Sequence, residues 1–129
     1  MTQSRLATAL LTLRLSVFLV MLMWTLDKFI NPEHAARVYE HFYLIGGMGS
    51  TPLAVIASIE LLILVGFLLG YRKRFTYGAV LLLHAISTLS SYKQYLSPFD
   101  NLLFFAAWPM LAACFALYYL RNSDTKLTV

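Results

Sequence analysis

The chain has 129 residues, 60% of them apolar and only 12% charged, with a net charge of +4. A soluble domain of this size could not cover its core with so few charges, and its outside would be Leu, Phe and Ile. The positive charge is too sparse for the basic face that nucleic acid requires, and the single cysteine, Cys114, excludes an internal disulfide, a CxxC redox pair or a Cys-rich metal site.

Four apolar stretches, residues 8–30, 52–71, 75–92 and 98–120, are each about 20 residues long, enough to cross about 30 Å of hydrocarbon. None alternates in period two, and backbone groups in lipid must be bonded within their own segment, so all four are expected to be helices. The predicted fold is an all-α membrane protein, a four-transmembrane-helix bundle in one domain over residues 1–129. No internal repeat or flexible linker divides it.

The first stretch follows Arg5, contains Arg14 and runs on to Ile30 without a small-x-small site, so it is expected to remain as a helix rather than act as a cleaved signal. Arg14 reads as a positive anchor near the cytoplasmic side. Asp27-Lys28 closes the outer end, where positive anchors are disfavoured, so Lys28 is expected to turn inward toward Asp27, Glu60 or Asp100. Lys93, at the outer end of the third stretch, would join this group.

Asn31-Pro32-Glu33 is a helix start and Gly46-Gly47 a helix stop. Between them Ala35, Val38, Tyr39 and Phe42 form one apolar face. This predicts a short amphipathic helix, residues 32–44, in the first outer loop, lying on the membrane surface or capping the bundle.

The second stretch opens at Thr51-Pro52 and closes at Gly70, with Glu60 near its middle. A charge there is expensive. Either Glu60 carries protons or binds a ligand, or it is a buried acid that fixes helix packing. Gly66 and Gly70 make a GxxxG step, which suits an oligomer and close packing within one chain equally well. In the third stretch His84 shares a stripe with Ser87, Thr88 and Ser91, and reads either as a structural hydrogen bonder or as a quinone contact or proton relay. The fourth opens with Ser97-Pro98 and Asp100 in the manner of a capping box, and Pro109 should kink it.

Arg5, Arg72, Lys73, Arg74, Arg121 and Lys126 fall on one side of an even number of spans, which places both termini in the cytoplasm. The side chains that could carry chemistry then gather in the outer half: Lys28, Glu60, His84, Asp27 and Lys93, as ligand or proton-relay candidates. No catalytic residue stands out. No metal site is expected either: His84 is the only membrane histidine, and His34 and His41 are seven residues apart on the loop helix.

Leu13-Arg14-Leu15, then Asp27-Lys28-Phe29 with Pro32 just beyond, resemble the opening of DoxX-type membrane proteins. Glu60, Gly66, Gly70, a basic turn ending in Arg74, and Asn101 at the start of the last helix fit the same pattern, over residues 13–120. The chain departs from it at Met23-Trp24-Thr25, where relatives often carry a small residue, and in lacking the cysteines of some relatives. The resemblance implies a small inner-membrane bundle that works beside redox partners. Some relatives are subunits of thiosulfate:quinone or terminal quinol oxidoreductase systems, others are linked to oxidative-stress complexes, and many have no established activity.

The expected function is therefore that of a bacterial inner-membrane accessory or quinone-interacting subunit of a redox system, more a partner of an oxidoreductase than an enzyme alone. Its expected partners are the lipid bilayer and a redox protein. Quinone suits the cluster because its reduction takes up protons that a Glu and a His could supply. The alternatives are a small proton-coupled transporter or export component using Glu60, and a structural membrane helper without a ligand.

Overall fold

The computed structural model describes residues 2–47 and 49–129. Among them it is all-helical, with no strand: α1 (Gln3–Ile30), α2 (Pro32–Tyr43), α3 (Ser50–Leu69), α4 (Lys73–Ser90), α5 (Tyr92–Tyr95) and α6 (Ala107–Tyr119). Short 3-10 turns occupy Pro98–Asp100, Leu102–Ala106 and Arg121–Ser123. Three segments are long and apolar enough to cross a membrane: Gln3–Ile30, Ser50–Leu69 and Leu102–Tyr119. Lys73 and Arg74 dilute the first turn of α4, so its crossing is not decided by hydropathy alone.

Local chemistry sets the element ends. α1 starts well before its apolar stretch because Thr2 caps it, its hydroxyl accepting the Arg5 N–H at 3.2 Å. α3 stops at Gly70, whose φ of 68° is the left-handed conformation that glycine adopts without strain. The turn into α4 is so tight that a Cβ on Gly66 would lie 2.9 Å from Thr76 Cγ2. The GxxxG step is thus used within the chain, to bring α3 against α4.

The fourth apolar stretch differs from a single helix over 98–120. Ser97 makes no side-chain cap, and the Asp100 N–H bonds the Ser97 carbonyl at 3.2 Å, so the expected capping box gives way to a 3-10 turn. α-Helix begins only at Ala107. Pro109 then sits in its first turn, where no N–H is needed, and its ring would clash with the Phe105 carbonyl in a longer α-helix. Leu102–Ala106 winds as 3-10 instead.

α1 packs on α3 and α6, and α4 packs on α3 and α6, so the four longer helices close a ring in which α1 and α4 stand diagonally opposite. Leu10 and Val17 of α1, Leu64 and Phe67 of α3, Tyr77 and Val80 of α4, and Cys114 and Leu117 of α6 form its core. The opposite faces expose Leu62, Phe75, Leu82 and Leu103, a surface suited to lipid and not to water.

Below this core the last residues fold back between the helix ends. The Val129 N–H bonds the Leu69 carbonyl at 2.8 Å. Arg14 is fully buried there. Its Nη1 donates to Asp124 at 2.7 Å, and its Nη2 donates to the Lys126 and Leu127 carbonyls at 2.6 and 3.2 Å. Tyr77 donates to the other Asp124 oxygen, and Lys73 to the Asp124 carbonyl. Arg14 is therefore not a snorkelling anchor but the centre of a buried polar knot.

Candidate functional site

The outer half of α1 turns Thr25 and Lys28 inward, one helical step of three residues apart, so both side chains reach the same point. That point is Glu60. Lys28 Nζ donates to Glu60 Oε1 at 2.9 Å and Thr25 Oγ1 donates to the same oxygen at 3.2 Å. The Lys28 and Glu60 side chains are only 10% and 15% exposed, so the pair neutralises two charges that neither helix could bury alone. Of the three acids open to Lys28 by sequence, Glu60 is the one it meets. Asp27 instead holds His34 at 2.6 Å, and His34 stacks on Trp24 with ring centroids 6.3 Å apart.

α2 lies across these groups. Lys28 Nζ sits over the Tyr39 ring, 5.7 Å from its centroid. Burial, with the Glu60 carboxylate and Tyr43 adding to it, pushes the Tyr39 phenol up, so it stays protonated and available as a donor. Tyr43 and Ser87 share a hydrogen bond of 2.6 Å, which ties α2 to α4. On α4, His84 Nε2 lies 3.0 Å from the Ala107 carbonyl. A carbonyl only accepts, so Nε2 carries the proton and, in the neutral ring, Nδ1 is left as an acceptor.

These side chains border one cavity of about 980 Å³. Lys28, Glu60, Thr25, Tyr39 and Tyr43 line one end, and His84 lines its wall. Most of the remaining lining is apolar, from Leu13 and Val17 on α1 to Met110 and Ala113 on α6. A large apolar chamber with a few convergent polar groups is the usual form of a small-molecule site.

Of the five candidates from the sequence, Lys28, Glu60, His84 and Asp27 border this cavity, Lys28 and Glu60 in direct contact. Lys93 does not. It is exposed on α5, over the Tyr92 ring at 6.0 Å, because the chain turns away at Ser91. Sequence reasoning missed Thr25, Tyr39 and Tyr43 as polar groups of the site. The Thr25-x-x-Lys28 spacing was a readable signal for the first; Tyr43 carried none, as it lies off the apolar face of α2. His41, near Gln94 at 3.3 Å, is far from His34 and its partner.

Comparisons with protein-family models, curated proteins and solved structures return no match to this chain.

Proposed function

We propose that this is a DoxX-like inner-membrane protein of four spans with both termini in the cytoplasm, acting as a quinone-binding accessory subunit of a redox system. The observation that carries the ligand reading is the Lys28–Glu60 pair at one end of an otherwise apolar cavity of about 980 Å³. A quinone ring needs donors for its two oxygens and apolar room for its tail. Lys28 and the protonated Tyr39 are donors, and the His84 imidazole stands on the cavity wall to accept or pass a proton. α4 supplies the fourth crossing: it packs between α3 and α6, and its basic first turn sits at the positive end. α2 would then lie on the outer surface, over the polar end of the cavity.

The test is binding. Protein purified in mild detergent with its native lipids is extracted for quinone, and then titrated with a quinone carrying a short isoprenoid tail. Saturable binding is expected, and Lys28→Met should weaken it about tenfold or more, the loss of about 1.4 kcal/mol. No quinone in the extract and no saturable binding would sink the proposal. Proton-driven uptake in vesicles that Glu60→Gln abolishes would replace it with a transporter.

A further inference from the structure

The charged side chains of the cavity, Asp27, Lys28 and Glu60, lie at one end, and its floor reaches Leu13, about 22 Å lower along α1 at the helical rise. Such a chamber matches a molecule with one polar head and one apolar tail. How that molecule enters is decided by the ring of helices. α1 meets α6 in the core at the level of Leu10 and Val17, against Cys114 and Leu117. Higher up the last apolar stretch is no longer α-helix. The 3-10 segment Leu102–Ala106 packs on α5, on the turn before it and on α6, and its Phe104 meets Phe42 of α2, but its backbone nowhere comes within 8 Å, Cα to Cα, of α1. Six residues along this divide, Ser16, Val20 and Trp24 on α1 with Leu103, Ala106 and Pro109 opposite, line the cavity and are all exposed. They are the two jambs of an opening in the side of the bundle.

From this we infer that the occupant is a single-tailed amphiphile that enters sideways from the surrounding lipid, between α1 and the 3-10 segment, and seats its head at Lys28 and Glu60. The inference rests on the cavity being a ligand site and adds its substrate class and route. The jambs are apolar apart from Ser16, so a tail dissolved in lipid passes without leaving an apolar medium. A route from water has no such match: α2 covers the polar end, held by Tyr43–Ser87 and His34–Asp27. A second hollow of about 500 Å³, between α1 and the start of α3, also reaches Lys28, and Ala54 lines it. There the Lys28–Glu60 pair itself stands in the way.

The experiment uses the full chain in lipid nanodiscs with Trp108→Phe, so that Trp24, on the jamb, is the one tryptophan. Quenching of Trp24 reports a tailed quinone and its tail-less ring. The tailed form should bind at least about tenfold more tightly relative to its concentration in the lipid. Ala106→Phe should slow entry and release together by about tenfold, leaving affinity nearly unchanged, and Leu103→Ala should speed both. Ala54→Phe should do neither. Equal binding of the tail-less ring, or rates that respond to Ala54→Phe and not to the two jamb variants, would overturn the inference. If neither quinone binds, a spin-labelled fatty acid takes their place: an immobilised spectrum that exchanges more slowly in Ala106→Phe supports the route while rejecting quinone. No immobilised component rejects both.

Discussion

Two cations stand on the inward stripe of α1, and each has a carboxylate from a distant part of the chain. Arg14 meets Asp124 at 2.7 Å with both side chains almost wholly buried, and Lys28 meets Glu60 at 2.9 Å in a slightly more open setting. A buried pair contributes little net stability, but removing one partner strands a charge at a cost of about 3–5 kcal/mol. Asp124→Asn is therefore expected to destabilise the protein by about that amount, since an amide oxygen can still accept from Arg14 but no longer offsets its buried charge. Arg14→Met combined with Asp124→Leu should lose much less than the two single changes added together. Both are read by unfolding in mixed micelles, and a single-variant cost under about 1 kcal/mol would show that Asp124 is not the partner that matters. The same logic at Lys28 has a different readout, because that pair faces a cavity and its loss should appear in ligand affinity.

At the scale of elements, the α3–α4 hairpin shows how a small residue is spent. A methyl on Gly66 would come within 2.9 Å of Thr76 Cγ2, and Thr76 cannot swing away freely. It is β-branched, and its hydroxyl bonds the Tyr71 carbonyl at 3.0 Å. Gly66→Ala should cost about 1–3 kcal/mol by overpacking, and adding Thr76→Ser, which deletes the offending methyl, should restore most of it. Oligomeric state, followed by size-exclusion chromatography with light scattering, should not change, since this glycine serves a contact within the chain. Dissociation of a dimer by Gly66→Ala would contradict that. The last apolar stretch shows the opposite case. Pro109 limits α6 to its lower part, and the 3-10 segment above it leaves the side of the bundle open.

For the whole molecule, the start of α1, the α3–α4 turn and the last residues meet at one end, tied by Lys126 to Thr8 at 2.6 Å and by Val129 to Leu69. Helices that alternate in direction, with their ends gathered this way, put Arg72, Lys73 and Arg74 beside Arg121 and Lys126. The positive-inside bias then acts on a single face. In a Cys114→Ala background, Glu40→Cys should react with a membrane-impermeant maleimide on intact cells, and Asn122→Cys only after lysis. The reverse pattern would invert the molecule.

Much of this was legible beforehand. Three of the four apolar stretches marked segments long and apolar enough to cross a membrane, because a backbone in hydrocarbon has few ways to bond itself. Lys28 and Glu60 were visible as charges in the wrong place, since their cost is local and can be read from position alone. Arg14 was misread because an arginine near the positive end has a cheap local explanation, and its acid lies in a segment with no pattern of its own. The 3-10 segment was hidden for a related reason: Pro109 announces a distortion, but whether a helix kinks or changes type depends on what packs beside it. The sequence by itself determined the all-helical class and the apolar segments, which follow from composition and period. Only the tertiary structure decided which charges pair, which side chains share the cavity and where its wall is open, because those depend on residues far apart in the chain being held within a few ångströms.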